Sequence, residues 1–568
     1  MNKKLIIIVI ISVVLLGFYL SSFAQVKIDK QQCFGGIGAD YGFGIAECDN
    51  GFLVLGLLQD ISLGTGLVQC DDSISRTWVV KINDDYMFVD AWCYRMGNLN
   101  LKIFKDRNKP NEFFLVGGGE CYNANNLKTI KIDSNGNELW SCCFGNEYGN
   151  QYEGGRLYTN DGGIINSGVY SMEGGDVGQV FYGYDGWMVK HDSLGNMEWE
   201  LTLGSDGINE RICSIEQASD NGYYVCMYNE SVGGGNVLCL PTEVPNAALV
   251  KLNQSGEIEW QECYGCQFTS PGNWERSDIE SVIELKDGGF LYAGHAACNS
   301  GDLEGSGWHF GTINNIPNGR YTNDIWLWRV DADHNILWSK CYGGSDNEYL
   351  GKILQTEDEG FIVFGATHSN NGDVASASHI DLHSPNEGAA WVFRIDANGN
   401  LLWERCMGTE QLGQTEILDV LRHNDREYTI VGRMFCPSYE GISGDINCSN
   451  CRQLFNPESP HNSWNYWVAH ITDTVDYNTL HMPEQLLPQK GEVVKIYPNP
   501  TKNTVCVVLS HETKATEMEL FNMSGQIVAN KVFCGISGWM ETSNLPKGMY
   551  VLKIRNAEVC ITQMVLKE

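Results

Sequence analysis

The chain has 568 residues, with 38 Lys and Arg against 71 Asp and Glu, a formal net charge of −33, and 63 glycines. Apolar residues make up 43% and charged residues 19%, which excludes a disordered acidic tail and a coiled coil. A single core rarely grows past about 250–300 residues, so several domains or a repeat are needed, and so acidic a surface argues against nucleic acid as a partner.

At the N-terminus Lys3-Lys4 precede an apolar run from Leu5 to about Leu20, then Ser21-Ser22-Phe23-Ala24-Gln25. A basic start, a short apolar core and small residues at Ser22 and Ala24 predict a secretory signal peptide over 1–24, cut between Ala24 and Gln25. The alternative is a membrane anchor, since the run is almost long enough to span. All 21 cysteines fall between Cys33 and Cys560, which implies an oxidising compartment with disulfides. Cys263-x-x-Cys266 and Cys448-x-x-Cys451 lack a second well-spaced pair, so disulfide or buried thiol is favoured over zinc.

A hexapeptide running from Trp to Gly then recurs: Trp92–Gly97, Trp140–Gly145, Trp199–Gly204, Trp260–Gly265, Trp338–Gly343 and Trp403–Gly408, with a seventh copy, Lys30–Gly35, that lacks the Trp. Between copies the same parts return in order. There is one period-2 run, a turn such as Asp161-Gly-Gly or Asp287-Gly-Gly, a second run, a variable loop, and a third run such as Trp326–Arg329. The third run leads through Asp133–Asn137 or Asp396–Asn400 into the next Trp strand. Period-2 runs divided by Asp-Gly and Asn-Gly are strands joined by tight hairpins. Four strands per unit and seven units predict an all-β, seven-bladed β-propeller over 25–473. The Trp, Cys and aromatic positions are read as contacts between adjacent blades. The last unit lacks its fourth strand, whereas the chain opens with one too many at Lys30–Gly35; that N-terminal strand should close the last blade and remove two open edges. The Asp-x-Asn-Gly-Asn turns are not EF-hand loops, because the twelfth position is Phe144 or Met407.

The loops between the second and third strands vary in length, leave from one face, and carry Cys70, Cys121, Cys239, Cys298, Cys436, Cys448 and Cys451, which suggests stapling. Gly-Asp-apolar repeats in four of them, at Asp176, Asp302, Asp373 and Asp445. These carboxylates could serve a ligand or Ca2+, or accept backbone N–H bonds and fix turns, which is the favoured reading. His379-x-Asp381-x-His383 with His368 nearby is the one dense His/Asp group, and a metal site there is the weaker expectation. The elbow, zincin and phosphate-loop signatures of common enzymes do not occur, while a carboxylate pair for glycoside cleavage cannot be recognised without distances.

After Asp473 the repeat stops. Residues 474–490, with Pro483 and Pro488, read as a linker, and 491–568 carry a net +1, so that 25–490 hold −36. The tail predicts short strands around turns within Val493–Pro500, Thr504–Leu509, Met518–Val528, Leu545–Ile554 and Met564–Lys567, a small β-sandwich. Its Tyr497-Pro498-Asn499-Pro500 opening, the Phe521–Gln526 turn with Gly525, and Leu545-Pro546-Lys-Gly548-Met-Tyr550-Val closely resemble the C-terminal sorting domain (type A) of the bacterial type IX secretion system. The resemblance implies Sec export followed by passage across the outer membrane, tail removal by a sortase-like peptidase, and release or attachment to surface lipopolysaccharide. Residues 25–473 more loosely resemble propeller-type repeat cargo of that system, which carries no activity with it. The chain is therefore expected to be a secreted or surface-displayed binding or adhesion module for a glycan or protein ligand. A polysaccharide-active hydrolase or lyase is the alternative.

Overall fold

The structure is a computed structural model. It describes residues 26–34, 40–58, 77–97, 101–121, 124–149, 154–181, 183–205, 210–229, 234–238, 247–265, 277–298, 300–307, 309, 322–374, 376, 388–408, 414–435, 445–446, 464–474, 494–497, 504–522, 526–542, 544–555 and 560–567. The expected signal peptide and its Ala24/Gln25 cut, the 474–490 linker apart from Thr474, and Cys448 and Cys451 lie outside these residues. The contacts divide the chain into compact units at 1–474 and 475–568. Among the described residues no helix is long and apolar enough to cross a membrane.

The first unit holds seven four-stranded antiparallel sheets. Blades 1 to 3 run from Asp40 to Tyr94, Lys102 to Phe144 and Arg156 to Leu203. Blades 4 to 6 run from Glu210 to Tyr264, Ser277 to Tyr342 and Glu348 to Met407. Blade 7 takes three strands from Thr415–Asp473 and its fourth from Val26–Phe34, which pairs antiparallel with Trp464–Asp473 from Val26 opposite Asp473 to Phe34 opposite Tyr466. Val26–Phe34 is thus the outer strand of the last blade.

The recurring hexapeptide is the seam between blades. Its Trp packs on the left-handed residue of the next blade's last hairpin: Trp92 on Gly136, Trp140 on Gly195, Trp199 on Gly256 and Trp338 on Gly399. Trp260 meets His334, which has φ 63°, with ring centroids 4.6 Å apart. In the copy without Trp, Lys30 reaches the corresponding turn of blade 1 through the Asp84 carbonyl at 3.0 Å and Asp85 at 2.8 Å. One expected alignment needs correction. Ladder register equates Cys93, not Arg95, with Cys143, Cys263, Cys341 and Cys406, so Trp92 sits two residues late in its copy. These cysteines lie opposite the third strand, facing the buried Trp78, Trp326 and Trp391 in blades 1, 5 and 6, and Cys33 likewise faces Trp467. Cys121 and Cys143 form a disulfide, Cys33, Cys93, Cys263 and Cys298 are disulfide-bonded as well, and Cys341 and Cys406 are buried free thiols.

The third strand hides a cation that the apolar pattern does not announce. Lys131, Lys190, Lys251 and Arg394 are each only 2% exposed, opposite Trp140, Trp199, Trp260 and Trp403. Their charges are met by the hairpin aspartates: Asp106 on Lys131 at 2.7 Å, Asp161 on Lys190 at 2.7 Å, Asp220 on Lys251 at 2.8 Å and Asp358 on Arg394 at 2.8 Å. Burial alone would lift Asp106, yet the Lys131 ammonium holds its carboxyl below the usual range. The aspartates of the hairpins between the first and second strands are therefore ion-pair acceptors as well as turn residues.

The second unit is a five-stranded sheet of two long bent strands, Thr504–Asn522 and Ile527–Glu541, with Val494–Tyr497, Gly548–Arg555 and Cys560–Lys567. This corrects the expected short strands at 504–509 and 518–528. One strand runs through both halves, with register breaks between Val508 and Thr516. Val505 and Val507 of its first half share a core with Met518, Leu520, Leu552 and Ile554 of the other, so the bent sheet packs on itself as a sandwich.

Deleting residues 26–34 should lower the propeller's melting temperature by roughly 10 °C or more, because it opens two sheet edges and uncovers Trp467; an unchanged melt would refute the closure. Asp106→Ala, which removes one acceptor from the buried Lys131, should cost about 3 kcal/mol in urea unfolding.

Candidate functional site

Two places in the propeller gather polar side chains: the loop face, where the second-to-third strand loops meet the ends of the outer strands, and the central channel.

On the loop face the repeated Asp residues form clamps. Asp176 accepts from the Gly145 N–H at 3.0 Å and returns its own N–H to the Gly145 carbonyl at 2.9 Å. Asp302 does the same with Gly265 at 3.0 and 3.2 Å, and Asp373 with Gly343 at 3.4 and 2.8 Å. Asn236 repeats the exchange with Gly204. Asp445 instead pairs with Arg405 at 2.6 Å, and its carbonyl accepts from Gln31. In every case a loop of one blade is tied to the outer strand of the blade before it. Those carboxylates are occupied by the fold.

Between blades 5 and 6 lies a denser group. Glu348 opens its strand by donating its N–H to the Asn323 carbonyl, and Asp324 follows Asn323. Both side chains are fully buried. Glu348 accepts from Thr367 Oγ1 at 2.7 Å and from the Gly344 N–H at 3.1 Å. Asp324 Oδ2 accepts from the His309 N–H at 2.8 Å and lies 3.0 Å from its Nδ1, while Oδ1 has no hydrogen-bond partner. A Cβ on Gly343 would lie 2.3 Å from Glu348 Oε2 and 2.7 Å from Asp324 Oδ1, so only glycine leaves room for the two carboxyls to converge. Burial first, and the Asp324 charge second, push the Glu348 carboxyl up to about 8. Asp324 is raised too, by burial offset by His309, and the Asp324 hydrogen bond raises His309. Glu210 and Thr415 make the same backbone bond at blades 4 and 7, to Tyr184 and Gly388. The residues after those are Asp185 and Ala389, so the acid pair recurs as Asp185 and Glu210 between blades 3 and 4, while Ala389 and Thr415 stand in its place between blades 6 and 7.

Of the expected His/Asp group, His379, Asp381 and His383 lie outside the described residues. His368 is buried, meets Gln414 Nε2 at 2.9 Å, and is held below its ordinary value by burial. A different trio, Asp278, Glu280 and His295, has the spacing to hold a metal ion. Its His295 is committed on both sides, with Nε2 accepting from the Leu350 N–H at 2.9 Å and Nδ1 3.0 Å from Asp278.

The channel has a volume of about 800 Å³ and is lined by the first strand of all seven blades. Its shape follows from a bulge in that strand. In blades 1, 4, 5, 6 and 7 the ladder skips a residue at Phe43, Cys213, Glu280, Gly351 and Leu418, and each of these lines the channel. A bulge re-aims its side chain and drives a backbone carbonyl toward the second strand, where only glycine fits: a Cβ on Gly432 would lie 1.8 Å from the Glu416 carbonyl, and one on Gly294 1.9 Å from that of Asp278. Lys102 pairs with Asp419 at 3.4 Å. The Glu216 carboxyl is raised by burial, with Lys352 opposing, and the Glu216 charge in turn raises Lys352. Sequence reasoning missed these residues because alternation marks the strand but not the slip that turns a side chain inward.

In the tail, Tyr550 donates to the Pro546 carbonyl at 2.7 Å, and Gly548 follows with φ 154°. Tyr497 ends the first tail strand, while Pro498, Asn499, Pro500 and Gly525 lie outside the described residues.

Residues 495–568 match the family model of the secretion system C-terminal sorting domain. No curated protein matches the chain. Among solved structures, the WD40 domain of Neurospora crassa Pan2 is 10% identical and aligns over 77% of this chain and 90% of its own, with a TM-score of 0.35. A PL25 ulvan lyase is 9% identical over 71% and 93%, TM-score 0.40, and BBS1N in complex with ARL6DN is 9% identical over 80% and 98%, TM-score 0.37. The chain carries the sorting domain of type IX secretion cargo.

The buried carboxyl pair sets a pH test. Glu348 is protonated in the folded state up to about pH 8 but ionises near 4.5 when unfolded, so the folded form holds the extra proton between those values and stability falls as pH rises through that window. Glu348→Gln keeps the shape and removes the ionisation. Its melting temperature relative to the parent should climb from pH 5 to about pH 8 and then level off; parallel profiles would show that Glu348 does not titrate there.

Proposed function

We propose that this chain is a secreted or cell-surface propeller that binds its target without transforming it, exported by its C-terminal sorting domain after a cleaved N-terminal signal. The observation that carries the reading is the state of its carboxylates. Of the four that line the channel, three are engaged, Asp419 by Lys102, Glu280 at 3.5 Å from His295 and Glu216 by the Lys352 charge, and Glu47 is the fourth. On the loop face the repeated aspartates are spent on the clamps. Glycoside cleavage needs two carboxyl groups about 5–10 Å apart with the substrate between them, and apart from Glu47 these acids face basic or backbone groups instead. Loops tied to a rigid ring supply what recognition needs, a surface whose shape is fixed before the partner arrives.

One residue favours the alternative of a polysaccharide hydrolase or lyase. Glu216 has the raised carboxyl that a general acid requires. The chain beginning at Gln25, screened against neutral and acidic polysaccharides with retention and product release read together, separates the two. Retention without new reducing ends or unsaturated products supports binding. Turnover abolished by Glu216→Gln would establish the enzyme.

A further inference from the structure

We propose that the central channel is the binding site, and that its ligand is a short acidic oligosaccharide, a chain of sugars bearing carboxylate or sulfate groups; this rests on the reading of the propeller as a binding module. The argument begins with charge. Acidic residues outnumber basic ones 71 to 38 in the whole chain, yet the channel lining holds seven Lys and Arg against four Asp and Glu. The cations run the length of the channel, from Arg211 and Arg433 at one end to Lys105 and Arg107 at the other, where Glu47 also lies. Lys105 and Arg107 line the channel where the blade 2 inner strand leaves it, and among the described residues neither has an acid within ion-pair distance. Asp106 lies between them in sequence but is buried against Lys131 at 2.7 Å, so it does not neutralise them. The Arg107 guanidinium lies 5.0 Å over the Tyr158 ring and donates to Asn160 at 3.1 Å, an arrangement that leaves the rest of its planar fork for a carboxylate or sulfate.

Further in, Lys102 and Lys352 carry positive charge beside Asp419 and Glu216. Toward the opposite end Arg211 lies 5.5 Å over the Tyr228 ring. An inner strand of six residues spans roughly 20 Å, so cationic groups are spread along a path the length of a few sugar rings. Phe43, Phe104 and Leu350 offer apolar faces to ring C–H groups, and the volume falls in the range of small-ligand sites. The acidic exterior repels any long polyanion that would wrap the outside, so recognition is confined to a chain short enough to enter.

The test uses the chain from Gln25 onward and its Lys105→Glu/Arg107→Glu variant; because both positions flank the buried Asp106, folding is checked by unchanged melting. Calorimetry with trigalacturonate, maltotriose and inorganic sulfate, at about 20 and about 200 mM salt, reads the outcome. Trigalacturonate should bind, lose about tenfold in affinity at the higher salt and at least as much in the variant, while maltotriose gives no heat. No trigalacturonate binding, equal binding of maltotriose, or an unaffected variant would overturn the assignment. Sulfate displacing trigalacturonate completely at equal concentration would reduce the site to one for a bare anion and overturn the saccharide. Retention of another glycan by the variant would leave the binding module standing and move its site off the channel. Cleavage of trigalacturonate would do the reverse.

Discussion

The propeller depends on a seam that a single hexapeptide builds at both ends. At one end of five of the outer strands a Trp lies on the left-handed hairpin residue of the next blade, as Trp140 does on Gly195. At the other, the motif's glycine exchanges two hydrogen bonds with that blade's loop, as Gly145 does with Asp176. The Trp contact excludes water and the glycine contact fixes angle, because a reciprocal pair of hydrogen bonds tolerates little rotation. Seven such seams leave no free edge only if the last blade is completed. Val26–Phe34 completes it, with Lys30 making at the final seam, through charge, the contact that Trp makes elsewhere.

Behind the seam, the buried cations explain why the blades are alike without being interchangeable. A Lys or Arg in the third strand cannot be left bare in an apolar interior, so the hairpin that faces it must supply an acid. The Asp161-Gly-Gly163 turn answers two demands at once: Gly162, with φ 88°, permits the tight reversal, and Asp161 satisfies Lys190. Blade 1 shows the alternative, where Lys81 reaches the Ser134 carbonyl of its neighbour instead.

Much of this was legible in sequence. Period-2 runs, Asn-Gly turns and seven copies of a hexapeptide lead to seven blades, and the surplus copy at Lys30–Gly35 leads to the closing strand. What was hidden is of one kind. Alternation records which face of a strand is apolar, but a bulge shifts that record by one residue without leaving a composition signal, so Cys213, Glu280 and Leu418 looked like ordinary strand positions. The buried lysines were hidden for the same reason, since a polar residue within a period-2 run reads as solvent-facing. The glycines opposite the bulges were visible as Val-Gly432 and Ala-Gly294 yet passed for strand ends. In the tail, a single long strand crossing both halves of a sandwich looked like two short strands, because its bend carries Ser510, His511 and Thr513.

The distribution of charge follows from this architecture. Outward-facing positions are free to accumulate acids, and −36 gathers on residues 25–490, which keeps an exported protein soluble and apart from its copies. Inner-strand positions are not free in this way. Seven strands converge on one axis, so a carboxylate there faces the others across a narrow space with little water to screen it, and two of the acids in the lining have a cation near them, Asp419 with Lys102 and Glu216 with Lys352. Electrostatic balance would be reached with equal numbers. The channel goes past balance, to seven cations against four acids, and repulsion among the cations is a cost the fold alone does not require. A surplus of positive charge in the most crowded part of an acidic molecule is what an anionic guest would offset.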